Sequence, residues 1–376
     1  MPGFRLKKSR SKFIALSALV LSACSGGGGG QDMAVSDMSD LTSTASGQTV
    51  LNDQGAGTTE PQADQPPAGK RYRDIVFAQV SVERAVVFGT GKRKFSADQQ
   101  LAMDIHTPVG DTSTRRPVMI LAFPGGFRFG ARDEYDDLIL IAEDFAKRGY
   151  VVASIDYRLF EIAPTSFVEV QIGIHQAVHD MRAAIRFFRE DADGANRYGT
   201  DGVNIFVGGM SSGAIMAAVA GTFDQGDEVP EAVEKYLAAH GGIAGDSRGD
   251  TSYSSAVSGV LMISGAVLDL SWIDQNSAPI YAVHEEYDAI VPCRSDASIS
   301  FWVSSKLSGA CAVIPALRAL NIPSQFFLLE GAQTHLALSA EELQKICNQA
   351  AVFFYTTVLH PAEQQDPLVD IKSPVK

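Results

Sequence analysis

Basic residues are in deficit: Lys and Arg number 31 against 44 Asp and Glu, a formal net charge of −13. Five of the cations, Arg5, Lys7, Lys8, Arg10 and Lys12, fall within the first 23 residues, which hold no acid; removing them leaves −18 on the remainder. A chain so poor in cations cannot neutralise a run of phosphates, which excludes nucleic acid as a partner. The acidic excess reads instead as a solvated surface. Long apolar runs are also missing. The stretch Phe13 to Leu21 is shorter than the roughly 20 residues that a helix needs to cross a bilayer. Cysteine is scarce, with four in 376 residues, and no Cys or His pair has zinc spacing, so neither a metal nor an organic cofactor is expected. Internal repeats are absent, and no second linker divides the chain beyond residue 70.

What is present begins with an address. The basic stretch Lys7 to Lys12 followed by the short apolar run suits a signal peptide, residues 1–23, and export. The run ends in Leu21-Ser22-Ala23-Cys24, which resembles the bacterial lipobox. That resemblance implies a lipid on Cys24, a membrane anchor and, because Ser25 rather than Asp follows, passage to the outer membrane. Residues 24–70 contain five consecutive glycines, many Ser, Thr, Gln, Asp and Pro and almost no large apolar side chains. Such a stretch cannot bury enough surface to offset the entropy of ordering, so it reads as a tether. A folded domain is expected over 71–360 and a C-terminal tail over 361–376.

Within the folded part, Val- and Ile-rich runs alternate with helical patterns. Val80 to Phe88, Gln100 to His106 and Val118 to Phe123 read as strands and Glu134 to Arg148 as the first helix. Further strands are expected at Val151 to Asp156, Val203 to Val207, Val260 to Ser264, Ile280 to Val283 and Gln325 to Leu329. Helices are expected at Val170 to Arg189, Ser212 to Thr222, Ile314 to Leu320 and Ala340 to Val358. A few meandering strands followed by strand-helix units give an α/β fold: a mostly parallel central sheet with helices on both faces. The polar, glycine-bearing stretch Phe223 to Val257 breaks the pattern and reads equally as a small cap over the site or as a surface excursion.

Two segments match G-x-S-x-G. Gly209-Met210-Ser211-Ser212-Gly213 follows the strand Val203 to Val207 and precedes a run of good helix formers. A serine on that turn is pushed out of the sheet, and the helix N-terminus behind it favours developing negative charge. A serine that merely caps the helix is the competing reading. Gly245-Asp246-Ser247-Arg248-Gly249 has neither flanking element, so Ser247 is read as a loop serine.

Together with four further motifs, the Ser211 turn resembles the carboxylesterase branch of the α/β-hydrolase family over most of Arg71 to Leu359. Phe123-Pro124-Gly125-Gly126-Phe127 stands where the family has H-G-G-G and an aromatic residue. Proline carries no N–H, so the resemblance implies an oxyanion hole built from the N–H groups of Gly125, Gly126 and Ser212. Asp156-Tyr157-Arg158-Leu159 is similar to the family's D-Y-R-L, a structural element. Asp180 and Arg182, in the stretch before the nucleophile turn, are read as ion-pair or scaffold residues.

This fold orders its triad as Ser, then Asp or Glu, then His. Pro279 to Pro292 resembles a strand ending in H-G-x-x-D-x-x-V-P, which nominates Asp288 as the acid; Glu285, in place of the glycine, and Glu286 are weaker rivals. His335, in Glu330-Gly331-Ala332-Gln333-Thr334-His335, is the expected base. His106, His175, His179 and His240 precede the acid in the chain, and His284 and His360 lie outside the required loop. The implied chemistry is hydrolysis of a small-molecule or polymeric carboxylic ester through an acyl-enzyme on Ser211. A peptidase or amidase on the same fold and an inactive surface scaffold are the rival readings. Cys293 and Cys311 flank a loop beyond Asp288 and can form a disulfide, with pairing that involves Cys347 as the alternative.

Overall fold

Strands form where the β-branched runs were expected, and the helices between them fold them into one sheet. The computed structural model describes residues 69–249, 251–294, 307–363 and 368–374. In chain order the elements are β1 (Val80–Gly91), β2 (Gln99–Pro108), β3 (Arg116–Ala122), α1 (Asp136–Lys147), β4 (Val151–Ile155), α2 (Phe167–Asp193) and β5 (Thr200–Met210). They continue with α3 (Ser212–Thr222), α4 (Glu231–Ala239), β6 (Gly259–Ile263), β7 (Ala266–Val267), β8 (Ile280–Glu285) and β9 (Ser308–Gly309). The last are α5 (Ala310–Ala319), β10 (Ser324–Glu330), α6 (Ala340–Phe354) and β11 (Ile371–Pro374).

Nine of these strands make one sheet in the order β1-β2-β4-β3-β5-β6-β8-β10-β11, and β7 pairs with β9 in a separate ribbon. β2 runs antiparallel to both β1 and β4. From β4 to β11 every pairing is parallel. β3, β4, β6 and β8 are buried along their whole length, as expected for strands covered on both faces. The chain steps from β3 to β4 in one direction across the sheet and from β4 to β5 in the other. Right-handed crossovers therefore place α1 and α2 on opposite faces. Helix ends follow local chemistry: Ser166 caps α2 by accepting from the Glu169 N–H, and Ser339 and Glu342 form a reciprocal capping box on α6.

Two boundaries differ from the sequence reading, and one stretch left open there gains a described structure. The fold begins at the end of the stretch read as tether, where Lys70 pairs with Glu363. The supposed tail 361–376 contributes β11, which pairs in parallel with β10 from Phe327 to Glu330. The stretch Phe223 to Val257 holds α4 and is bonded to α2 and, through Ser247, to Arg158 beyond β4. Arg182 donates to the carbonyls of Ile243 and Phe223, and Arg186 to those of Ala244 and Arg248. These bonds tie the insertion to the helix layer. The signal segment, Cys24 and the tether up to residue 68 lie outside the described residues.

Candidate active site

Because the parallel strands all point the same way, the loops that follow them gather at one edge of the sheet; Ser211, Asp288 and His335 lie on three such loops, and Gly125 and Gly126 on a fourth. Ser211 follows β5 directly. Its backbone is at φ 52° and ψ −118°, a conformation that side chains rarely adopt, and its N–H donates to Ile263 O on the neighbouring β6 at 2.9 Å. The glycines of the motif are required by close approach: a Cβ on Gly209 would lie 2.5 Å, and one on Gly213 2.1 Å, from the Ala122 carbonyl at the end of β3. Although Ser211 occupies the N-cap of α3, its side chain makes no capping bond. The hydroxyl turns to His335 instead, with Oγ 2.8 Å from Nε2.

His335 Nδ1 lies 2.6 Å from Asp288 Oδ2. The other carboxylate oxygen of Asp288 accepts the N–H groups of Ile290 at 2.8 Å and Val291 at 3.0 Å. An ionised, acceptor-only carboxylate satisfies all three bonds, which puts the imidazole proton on Nδ1 and leaves Nε2 as the acceptor facing Ser211. The Asp288 side chain is wholly buried, whereas His335 retains 15% exposure. Of the rival acids, Glu286 bonds the Gly331 N–H, and Glu285 bonds Leu336 N–H and Ser264 Oγ; neither bonds His335.

Cys293 and Cys311 form a disulfide and Cys347 is buried and free, so the pairing involving Cys347 does not occur. The bridge lies just beyond Asp288, and His284 also braces that turn, with Nε2 2.8 Å from Val291 O. Burial lowers His284 to about 4, so it stays neutral. Burial is also the chief cause that raises Glu285 above the ordinary carboxylate range, with Asp288 adding to it.

The oxyanion-hole candidates are held on a strained loop. Gly125 has φ 136° and Gly126 φ 62°, and a Cβ on Gly125 would lie 2.0 Å from Phe129 O. Of the three nominated N–H groups, one is already engaged: Gly126 N–H donates to Ser212 Oγ at 3.0 Å. Ser212 Oγ is 3.2 Å from Tyr157 Oη, which donates to Phe123 O at 2.9 Å. The run from Gly126 through two hydroxyls to Phe123 satisfies every member and locks the loop to α3. The sequence reading missed this link, since nothing in the order of residues places Tyr157 against Ser212.

Among the described residues, Glu285, Asp288 and His335 are the group of three acidic or imidazole side chains with donor atoms close enough to share a cation, within 4.8 Å of one another. Each is already committed: His335 to Ser211 and Asp288, Asp288 to His335 and two amides, Glu285 to Leu336 and Ser264. The arrangement suits proton transfer better than metal binding.

A family model described as BD-FAE matches residues 103–243, less than half of the chain. Secreted lipase 1 of Botryotinia fuckeliana (strain B05.10) is 25% identical over 264 residues. That alignment covers 68% of this chain but 41% of the lipase, so the chain spans about two fifths of that relative's length. The apo form of Thermogutta terrifontis esterase 2 superposes with a TM-score of 0.50 at 18% identity, over 75% of this chain and 96% of that one. The butyrate-bound form of the same esterase gives 0.51 at 19%, over 73% and 94%. The chain has the α/β-hydrolase fold.

Within this fold, the remaining sequence candidates are accounted for structurally. Ser247 is a buried loop serine that donates to Asp180 Oδ1 at 2.6 Å and accepts from Arg158 Nη2 at 2.8 Å. Asp180 is the buried ion-pair partner of Arg158, at 2.7 Å. His106, His175 and His179 are buried away from Ser211, His240 faces Asp246, and His360 lies near Glu363.

Proposed function

We propose that the protein is a serine hydrolase of carboxylic esters, with Ser211 as nucleophile, His335 as base and Asp288 as the acid that orients it. The observation that carries this reading is the unbroken line of bonds from Ser211 Oγ to His335 Nε2 at 2.8 Å and from Nδ1 to Asp288 Oδ2 at 2.6 Å. The strand-to-helix turn that lifts Ser211 out of the sheet supports it. So do the esterase and lipase among the similar proteins.

On this reading His335 Nε2 takes the Ser211 proton as Oγ attacks the ester carbonyl, and Asp288 stabilises the imidazolium that results. The tetrahedral oxyanion rests on the N–H groups of Gly125 and Ser212; the latter is at the first position of α3, where an N–H has no acceptor in its own helix. Gly126 joins them by sharing the N–H that it gives to Ser212 Oγ. His335 then protonates the leaving alcohol, and a water activated by the same nitrogen releases the acid from Ser211. Export and a lipid on Cys24 complete the proposal, from the N-terminal sequence and from a relative described as secreted.

The test is turnover of p-nitrophenyl acetate, butyrate and octanoate by the wild type and by Ser211→Ala. We expect the variant to fold and to lose on the order of a millionfold in kcat, as removal of such a nucleophile does elsewhere. Turnover that persists in the variant would exclude Ser211 from the role. The acyl-length profile measures the size of the acyl pocket.

A further inference from the structure

Glu285 occupies a position between the nucleophile and the base that neither role explains. It ends β8, the strand lying between β6 and β10 in the sheet, and it is almost wholly buried. One carboxylate oxygen, Oε2, accepts the Ser264 hydroxyl at 2.6 Å; the other, Oε1, accepts the Leu336 N–H at 2.6 Å. Both partners sit in the left-handed region, Ser264 at φ 50° and Leu336 at φ 58°, where a side chain other than glycine is held only if its surroundings over-determine it. Each also adjoins a residue that either belongs to the site or bonds it. Ser264 follows Ile263, whose carbonyl takes the N–H of Ser211, and Leu336 follows His335.

We propose that Glu285 is a positioning residue for the Ser211–His335 pair, a carboxylate strap that ties the strained turn after β6 to the strained turn after β10 and so sets the distance between nucleophile and base. Two features support the assignment beyond the bond lengths. Each oxygen of the carboxylate takes one donor, from opposite sides, so a single side chain bonds both turns at once. Burying a carboxylate beside Asp288 is costly, which makes a space-filling role a poor explanation for the residue. The inference rests on the reading of Ser211 and His335 as nucleophile and base; it makes Glu285 a residue that acts through them, without touching the substrate.

The experiment compares Glu285→Ala, Glu285→Gln and Ser264→Ala in the full chain by steady-state turnover of p-nitrophenyl butyrate, with far-UV circular dichroism and thermal melting as controls for folding. The glutamine amide can still accept from Leu336 N–H and donate to Ser264 Oγ. We expect Glu285→Ala to lower kcat about 10- to 100-fold with KM nearly unchanged, the penalty of a misplaced reacting pair. Glu285→Gln should restore kcat to within about threefold of wild type, since it keeps both bonds. Ser264→Ala, which deletes one anchor and little volume, should lower kcat by about three- to tenfold and settles the matter if Glu285→Ala does not fold. Wild-type kcat in Glu285→Ala, a loss confined to KM, a glutamine variant as slow as the alanine one, or an unchanged Ser264→Ala would each overturn the strap. Ser211→Ala in the same assay tests the underlying reading separately: if that variant keeps turnover, the strap falls with it.

Discussion

Ser211 adopts a backbone conformation that costs of order 1–3 kcal/mol in a side-chain-bearing residue. The return is an Oγ that faces His335 instead of capping its own helix. Such an arrangement is legible in sequence because strand, small neighbours and helix must all be adjacent. Asp288 is less so: three carboxylates lie within four residues of one another, and only the amides of Ile290 and Val291 show which one turns toward His335. The same amides make Asp288→Asn a sharp test. They hold the oxygen of an asparagine, which forces its NH2 toward His335 Nδ1 and leaves the imidazole proton on Nε2, where it blocks proton uptake from Ser211. We expect a folded variant whose kcat is about 10⁴-fold lower, the penalty of the wrong tautomer, as measured by p-nitrophenyl butyrate turnover. What the sequence could not show at this scale are the contacts that join distant loops, Ser212 to Tyr157 and Glu285 to Leu336. No local spacing encodes them.

At the scale of elements, α2 was read as a plain helix, yet it carries an unusual load. Its arginines hold the excursion that contains α4, and its inner face presents His175 between the rings of Phe223 and Trp272. Among the described residues neither ring nitrogen of His175 has a hydrogen-bond partner, and burial lowers its pKa from 6.5 to about 3. As pH falls below 6.5 the unfolded chain takes up a proton that the folded one refuses. This histidine therefore removes about 1.4 kcal/mol of stability per pH unit until its folded value is approached. His175→Phe keeps the ring contacts and removes the titration. Urea unfolding at pH 7.5 and 5.5 should show a smaller acid loss of stability in the variant by about that slope; equal losses would refute the assignment. The short elements escaped the sequence reading for a physical reason. α4 has nine residues and β11 four, too few turns or alternations for a periodic signal, and β11 forms because β10 offers an unpaired edge beside it.

For the whole molecule, the alternation of strands and helices determines the doubly covered sheet, and with it the edge at which three distant loops meet. The chain enters at the other edge. α1 runs back from the site side, and its last turn takes the first described segment: Tyr72 N–H donates to Arg148 O at 2.8 Å and Val76 N–H to Lys147 O at 2.9 Å. The first described residues are therefore fastened at the end of α1, away from the edge of the sheet that carries the Ser211 turn. If Cys24 carries the lipid, palmitate incorporation should vanish in Cys24→Ala, and membrane-bound protein should hydrolyse p-nitrophenyl butyrate as fast per molecule as protein released by cutting the tether. Slower turnover in the bound state would show that the Ser211 turn faces the surface. Since the described chain starts at the end of α1 and the proposed nucleophile stands at the opposite edge of the sheet, the entry of the chain into the domain does not cross the Ser211 turn.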